Sequence, residues 1–328
     1  MILNEEYLES KALSQSMLKK LLVHPQLFLN YTTAMSDELD EPKETTTIGD
    51  AVDIILTQGD DAFVENFYVT EAEKPTAMMG TFVWELYINR ENSNAEQIAY
   101  ERSGFKIKID KVRERYEAEG RMYYESLLEA EGKSTLTIHQ YNKIVAIVES
   151  LRTNPFTADW INGTDNLEVH KQVVLDFEYP MNGTNYKCKG LVDLLVIDKT
   201  TKMAYPIDIK TSSSATNSWL SMFWKFRYDL QAAFYSYGIR HTKSLKALGF
   251  EEIHPFRFIV ENQDYPGNPL IYEMGSTLEQ LGRLGGKHEY REYEGFHQAL
   301  QRYDWHVKND LWQYKMEDYI NNGIRILG

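Results

Sequence analysis

The stretch "GLVDLLVIDKTTKMAYPIDIK", Gly190–Lys210, contains two apolar runs of strand character joined by a short polar turn. A turn at 199–202 sets an antiparallel register in which Asp193 lies directly opposite Asp208. Side chains two residues apart on a strand share a face, so Lys210 lies on the same face as Asp208. The sequence therefore predicts two carboxylates and an ammonium on one face of two neighbouring strands.

Charged side chains at this place need a physical reason, because burying a charge is costly unless the charge is paired. Val192, Leu194 and Val196 occupy the other face of the middle strand, which predicts a strand buried on both sides. Two facing carboxylates either share a proton or hold a cation. One or two carboxylates with waters are a common set of Mg²⁺ ligands.

A lysine beside such a cation can orient or deprotonate a water molecule. Asp193, Asp208 and Lys210 together then resemble a site for metal-assisted phosphodiester hydrolysis. A second interpretation stays open from the residues alone. In that interpretation Asp208 and Lys210 form a buried ion pair, and Asp193 is satisfied by hydrogen bonds.

The residues on either side extend the pattern. Asn182-Gly183 is a strong signal for a tight turn, which predicts a three-stranded meander over about 168–210. The next segment, "YDLQAAFYSYGI", predicts a helix with Gln231 and Tyr235 one turn apart on one face. Further strands are expected in "HPFRFIVENQDYP" and "PLIYEM", followed by an aromatic-rich helical tail.

Two helices are expected upstream of the meander. In "ALSQSMLKKLLVHPQLF" either Ser14 or Ser16 can cap a helix that ends at His24-Pro25. In "IGDAVDIILTQG", Ile48–Gly59, apolar residues recur at helical spacing before a glycine stop.

Composition limits the class of protein. The chain has 328 residues, of which 43% are hydrophobic, as expected of a globular protein with a sizeable core. Its one cysteine, Cys188, excludes an intramolecular disulfide and a cysteine-based zinc site. A net charge of −14 disfavours a broad basic nucleic-acid surface, although carboxylates that bind cations contribute to that charge.

No apolar run approaches the roughly 20 residues that span a bilayer, and "MILNEEYLES" does not resemble a signal peptide. We therefore expect a cytoplasmic protein without a membrane segment. The stretch "GRLGGKH", Gly282–His288, hints at a phosphate-binding loop, but its spacing differs from that of a Walker A motif.

Taken together, these motifs resemble the PD-(D/E)XK nuclease superfamily, and within it the RecE (exonuclease VIII) type and RecB-like nucleases. The resemblance rests on Asp193, the triplet Asp208-Ile209-Lys210, and the pair Gln231 and Tyr235. It implies an α/β fold: a central mixed β-sheet flanked by helices, with helical N-terminal and C-terminal elaborations. It also implies a single nuclease domain over 1–328, with a core at roughly 12–60 and 168–265, a helical insertion at about 60–165 and a helical tail at about 275–328.

The resemblance implies roles for these residues. Asp193, Asp208 and the Ile209 carbonyl would bind the metal ion, and Lys210 would position the attacking water. Gln231 and Tyr235 would order the site or contact the DNA backbone.

Three weaker matches extend the candidate site. Ser14 and Ser16 belong to a helix similar to the family's Ser-x-Ser-x-Leu element, which suggests a role in binding substrate or ordering the site. "TIGDAVDIIL" is similar to the family's Gly-x-x-x-His helix, where Asp53 takes the place of the histidine ligand. Glu168 on the first strand is a candidate further acid.

The activity that the resemblance implies is exonucleolytic hydrolysis of linear DNA with Mg²⁺, or Mn²⁺ in its place. Phage recombination or replication in the host cytoplasm, a single-strand annealing protein as partner and a homo-oligomer are further implications. Two alternatives remain: a DNA- or protein-binding protein that kept the fold and lost catalysis, and a structure-selective endonuclease.

Overall fold

The computed structural model describes Tyr7 and residues 9–33, 44–75 and 77–325. The chain divides into two compact units. The first contains Met1–Leu39 and Glu149–Gly328, and the second contains Asp40–Val148. The interpretation of 1–328 as one nuclease domain stays a prediction.

A mixed six-stranded sheet forms the centre of the first unit. Its order is β3-β4-β5-β7-β8, with β6 also paired to β5. The first three strands form an antiparallel meander, β7 runs parallel to β5, and β8 runs antiparallel to β7. The strands of this sheet are β3 Leu167–Met181, β4 Thr184–Asp198, β5 Met203–Ser212, β6 Glu252–Ile253, β7 Arg257–Asn262 and β8 Leu270–Glu273. This arrangement confirms the predicted α/β class and the central mixed sheet.

Helices of the first unit precede, follow and connect these strands. They are α1 Gln15–Val23, α2 Pro25–Thr33, α10 Ala158–Asn162, α11 Leu220–Lys225, α12 Tyr228–His241, α13 Ser276–Leu284, α14 Phe296–Asn309 and α15 Met316–Ile320. A small hairpin, β9 Gly286–His288 with β10 Arg291–Tyr293, lies between α13 and α14. These helices confirm the predicted N-terminal and C-terminal helical elaborations.

The second unit is mostly helical. Its elements are α3 Glu44–Thr57, α4 Asp60–Asn66, α5 Ala77–Ile88, α6 Ala95–Ser103, α7 Ile109–Arg115, α8 Arg121–Glu129 and the parallel strands β1 Phe67–Thr70 and β2 Ser134–Thr137. The helix α9, Ile138–Thr153, follows β2. Buried Phe82, Val83 and Val112 contribute to the core of this unit.

Two turns hold the meander in register. Asn182 and Gly183 join β3 to β4 with φ angles of 50° and 81°, a combination that suits a tight hairpin turn. In the next turn the Asp198 carboxylate accepts hydrogen bonds from the backbone N–H groups of Thr200 and Thr201. The β4–β5 ladder then runs from Asp198–Met203 to Leu194–Ile207, which is the predicted register.

The N-terminal segment supports β4 next to the open end of this ladder. The Leu13 N–H donates to the Lys187 carbonyl, and the Lys189 N–H donates to the Leu13 carbonyl, both at 2.9 Å. This short parallel bridge fixes where α1 begins. The helix then packs its buried Leu18 and Leu21 into the same core as Phe234 of α12.

Within the part of the chain that the model describes, no helix is long and apolar enough to cross a membrane.

Candidate active site

The candidate site begins where β4 and β5 stop pairing. The ladder ends at Leu194–Ile207, one position before Asp193 and Asp208 would face each other. The Asp193 carboxylate instead accepts a hydrogen bond from the Ile209 N–H, with Oδ2 at 2.7 Å from the nitrogen. The predicted register is confirmed, but the direct Asp193–Asp208 ladder pair is not formed, because a side-chain carboxylate serves as the partner of that N–H group.

Asp208 is buried, with 2% of its surface exposed. The Gln231 side-chain amide of α12 donates to Asp208 Oδ1 over 2.6 Å. The other oxygen, Oδ2, is in a direct ion pair with the Lys210 ammonium, which donates a hydrogen bond to the carboxylate. Gln231 thus orients one side of the carboxylate, and Lys210 holds the other.

Two opposing effects act on the pKa of Lys210. Burial lowers its pKa, but the carboxylates of Asp208 and Asp193 outweigh burial and raise that pKa above the ordinary value. The Lys210 ammonium also lies 5.3 Å from the centre of the Tyr228 ring, within the range of a cation–π contact. The side chain therefore stays protonated at neutral pH.

Tyr235 lies one turn beyond Gln231 on α12 and is also buried. Burial raises the pKa of its hydroxyl well above the ordinary value, and the carboxylates of Asp208 and Asp193 raise it further. A hydrogen bond with the Gln15 side chain links this tyrosine to α1. The predicted Gln-x-x-x-Tyr pair is therefore brought to the two carboxylates by one helix face.

Lys19 of α1 is a site residue that the sequence analysis missed. Its pKa is lowered to about 7, first by burial and then by the nearby Lys210 ammonium, against the opposing effect of the Asp208 and Asp229 carboxylates. Its ammonium lies 5.5 Å from the centre of the Tyr228 ring, so Lys19 and Lys210 both contact that ring. The four-residue spacing of Gln15 and Lys19 was the available signal, because it places both on one helix face.

The two predicted serines have local roles in α1. Ser14 is the N-cap, and its hydroxyl accepts a hydrogen bond from the Met17 N–H over 3.3 Å. The Ser16 hydroxyl accepts a hydrogen bond from the Gln15 side-chain amide over 2.9 Å. Ser14 thus starts the helix that carries Lys19, and Ser16 holds the glutamine that contacts Tyr235. A direct contact of either serine with substrate stays a prediction.

The last two predicted residues lie elsewhere. Glu168 pairs across the sheet with Ile197, four residues and about 14 Å along β4 from Asp193. It contacts His170 Nε2 at 3.2 Å and Lys199 Nζ at 4.0 Å, so the structure does not bring it to the two aspartates. Asp53 lies in α3 of the second unit, and its part in a metal site stays a prediction.

The arrangement suits a hard divalent cation. Asp193 and Asp208 supply carboxylate oxygens, and the Asp208 carboxylate is buried with only the Gln231 amide and the Lys210 ammonium beside it among the contacts described. The N–H and C=O of one strand residue point to the same edge, so the Ile209 carbonyl projects to the side where its N–H meets Asp193. No group of three His, Cys, Asp or Glu side chains forms a metal site within the described ranges. Two carboxylates, a carbonyl and waters fit Mg²⁺ or Mn²⁺ better than a metal that needs a full set of side-chain ligands.

Most of the chain, including every residue of this site, matches a known family. Residues 14–282 match the family model described as a PDDEXK-like domain of unknown function, DUF3799. No curated protein matches the chain.

Two solved structures are similar. The crystal structure of a "Putative exonuclease" from Eubacterium rectale aligns with a TM-score of 0.50 and 13% identity, over 100% of this chain and 95% of that one. The crystal structure of SSO0001 aligns with a TM-score of 0.25 and 17% identity, over 52% of this chain and 66% of that one. The first likeness shows a shared fold. Because the family match spans most of the sequence and includes the residues of the site, the chain belongs to the DUF3799 family of PDDEXK-like domains, within the PD-(D/E)XK nuclease superfamily.

Proposed function

We propose that this protein is a metal-dependent nuclease that hydrolyses phosphodiester bonds of DNA. One observation carries the proposal. Asp193, Asp208, Lys210 and Gln231 converge from β4, β5 and α12 at the point where the strands stop pairing. The description of the Eubacterium rectale protein as a "Putative exonuclease" agrees with this assignment.

Asp193, Asp208 and the Ile209 carbonyl are the groups that would hold the metal ion. A bound divalent cation would supply Lewis-acid stabilisation of the charged phosphate and a more acidic water. Gln231 keeps Asp208 Oδ1 in place, so that Oδ2 faces the site. The protonated Lys210 can orient a water and stabilise the negative charge that develops on the phosphate oxygens.

We further propose that the enzyme acts on the ends of linear duplex DNA with Mg²⁺, and that Mn²⁺ can replace it. Action in phage recombination or replication in a host cytoplasm, together with a single-strand annealing protein, follows from the resemblance to exonucleases of the RecE type. A homo-oligomer belongs to the same proposal.

The test is degradation of linear duplex DNA with Mg²⁺ or Mn²⁺ by the wild type, Asp208→Ala and Lys210→Ala. We expect the wild type to digest from the ends and each variant to lose at least about a thousandfold in rate, because residues that act as a catalytic unit cannot substitute for one another. Calorimetric titration with Mn²⁺ should show binding by the wild type and by Lys210→Ala, and weakened binding by Asp208→Ala.

Two outcomes would replace this assignment. If the wild type is inert with both metals on linear and circular DNA, the Asp208–Lys210 ion pair is structural and the protein is a binding protein that lost catalysis. Asp53, at the position where the family resemblance implies a histidine ligand, favours that candidate. If covalently closed circular DNA is cut as fast as linear DNA, the enzyme is a structure-selective endonuclease.

A further inference from the structure

The hairpin β9–β10 carries an aromatic and basic surface that the proposed active site does not use. Its two-residue turn, Glu289-Tyr290, connects the paired residues His288 and Arg291. Tyr290 has 96% of its surface exposed, so both faces of its ring are open to solvent. A tyrosine exposed to this degree at the tip of a hairpin adds nothing to the core, and a binding role would explain its position.

Behind Tyr290, four side chains form a continuous stack, which we call the ring stack: His288, Trp224, Tyr293 and Arg227. The rings of His288 and Trp224 are centred 4.6 Å apart, and those of Trp224 and Tyr293 are centred 4.7 Å apart. The Arg227 guanidinium lies 5.3 Å from the centre of the Tyr293 ring on the inner end. His288 at the outer end lies two residues before Tyr290 in the chain.

The ring stack leads from the hairpin to the active site. Arg227 is the N-cap residue of α12, and it donates a hydrogen bond to the Glu294 carbonyl directly after the hairpin. The next residue, Tyr228, contacts the ammonium groups of Lys210 and Lys19. The ring stack therefore joins the hairpin to the residues around Lys210 through a continuous chain of contacts.

The base of the hairpin is rigid. Gly285 has a φ of +74°, and a Cβ atom there would lie 2.8 Å from the Tyr293 backbone oxygen and 1.9 Å from Gln298 Oε1, so only glycine fits. The Gln298 side chain also accepts a hydrogen bond from the Gly295 N–H over 2.7 Å. These contacts preorganise the hairpin, which reduces the entropy lost on binding. The close approach at Gly285 also explains that glycine of "GRLGGKH" by packing rather than by a phosphate loop.

The charge of the surface suits an anionic ligand. Lys225, Lys287 and Arg291 are exposed, and none of them forms an ion pair with any described residue. Glu289 and Glu292 balance Lys287 and Arg291 on the hairpin itself, so Lys225 leaves this surface with one cation in excess on a chain whose net charge is −14. By contrast, Arg113 and Arg115 in the second unit are each paired with a glutamate.

A cavity of about 590 Å³ lies at this surface, lined by Trp224, Lys225, His288, Tyr290 and Arg291 among others. Its volume falls in the range of small-ligand sites, and its lining combines rings with cations. Bases of a single strand expose their faces for stacking, whereas bases of a duplex are already stacked on one another.

From these observations we propose that Tyr290, supported by the ring stack behind it, is a stacking platform for a base of single-stranded DNA, with Lys225, Lys287 and Arg291 contacting the phosphates. This inference rests on the proposed function, because the platform would bind the DNA strand that enters or leaves the nuclease site.

The test measures binding without cleavage. Fluorescence anisotropy with a short fluorescein-labelled oligo(dT) in EDTA would compare the wild type with Tyr290→Ala and Tyr290→Phe. Loss of one base-stacking contact should raise Kd about tenfold for Tyr290→Ala, while Tyr290→Phe should stay within about twofold. Arg291→Gln should reduce the slope of log Kd against log salt by about one.

Tyr265→Ala is the matched control, because Tyr265 is also a solvent-exposed loop tyrosine, with 82% of its surface exposed. The proposal is overturned if the wild type does not bind oligo(dT), if Tyr290→Ala binds as tightly as the wild type, or if Tyr265→Ala weakens binding equally. Tighter binding of oligo(U) than of oligo(dT) would make RNA the occupant and overturn the assignment to DNA.

Failure of the stacking platform and failure of the nuclease function give different results. A wild type that degrades DNA, together with a Tyr290→Ala variant that binds oligo(dT) normally, would overturn the platform and keep the nuclease. A wild type that binds through Tyr290 and cleaves nothing would keep the platform and overturn the nuclease.

Discussion

Two halves of the same strand pair behave differently. From Asp198–Met203 to Leu194–Ile207, β4 and β5 form a regular ladder whose apolar side chains are buried. One position further, the ladder is replaced by side-chain contacts around Asp193, Asp208 and Lys210. In the ladder region, backbone N–H and C=O groups hydrogen-bond to each other. At the open end, the Ile209 N–H instead donates to the Asp193 carboxylate.

The comparison explains where a polar site can lie in a buried sheet. An unpaired backbone N–H in the interior costs free energy, and the Asp193 carboxylate removes that cost at Ile209. The same hydrogen bond fixes the carboxylate beside Asp208. We therefore expect changes in the ladder region to alter stability, and changes at the open end to alter activity.

The largest expected effect on stability comes from the ladder region. Leu194 is fully buried, so Leu194→Ala should lower the free energy of unfolding by about 3 kcal/mol through lost burial and a cavity. Urea unfolding followed by circular dichroism measures it. Val174→Ala on β3 is the control, because Val174 is 38% exposed and its loss should cost no more than about 0.5 kcal/mol. Equal losses of unfolding free energy in Leu194→Ala and Val174→Ala would refute the claim that the ladder region sets stability.

At the open end, Gln231→Leu removes the donor that orients Asp208 Oδ1 and keeps a side chain of similar size. Activity on linear DNA should fall about 10- to 100-fold, as for other groups that orient metal ligands, and more Mg²⁺ should restore part of it. Ser236→Ala, on the same helix, is the control, because the buried Ser236 hydroxyl has no hydrogen-bond partner among the described residues. An unchanged metal requirement in Gln231→Leu would argue against an orienting role.

A smaller effect, dependent on pH, is expected at Lys19. Its pKa of about 7 in the folded protein lies below the ordinary 10.5, so the unfolded chain binds more protons between these values. Stability therefore rises with pH across that window, and the cost of burying the charge is complete below pH 7. The full shift corresponds to about 5 kcal/mol, which the partial exposure of Lys19 reduces to about 2 kcal/mol.

Lys19→Met should accordingly be more stable than the wild type by about 2 kcal/mol near pH 6, with the gain vanishing near pH 10. Urea unfolding at both pH values measures it. Lys20→Met is the matched control, because Lys20 is exposed on the same helix and its replacement should change stability by less than about 0.5 kcal/mol at either pH. A gain that is the same at both pH values would contradict the assignment to charge burial.

The smallest expected effect is at Glu168. Because it lies far along β3 and contacts His170 and Lys199, Glu168→Ala should leave nuclease activity within about twofold of the wild type. The linear-DNA assay measures it beside Asp208→Ala. A loss comparable to that of Asp208→Ala would return Glu168 to the catalytic residues.

Local patterns in the sequence were enough to predict the meander and its register. Asn182-Gly183 and the 199–202 turn specify hairpins through backbone geometry that few residues adopt, and alternation sets which side chains share a face. The helix with Gln231 and Tyr235 was equally predictable, because helical spacing alone places them on one face.

Other features depended on contacts between distant segments. The predicted turn and register put Asp193 opposite Asp208 in the ladder. In the structure the ladder ends one position earlier, so the Asp193 carboxylate bonds to the Ile209 N–H. Lys19 has the appearance of an ordinary surface lysine in "MLKKLL", and it reaches Tyr228 because the Leu13 bridge fixes the start of α1 against β4.

The sequence by itself thus determined the strands, their turns, the shared face of Asp208 and Lys210, and the family. Each of these follows from spacing along the chain and from the backbone preferences of a few residues. Tertiary structure alone decided that Gln231 orients Asp208, that Lys19 joins the site, that Glu168 does not, and that the ring stack leads to Tyr228. Such contacts join residues far apart in sequence, and their positions are set by how whole helices pack against the sheet.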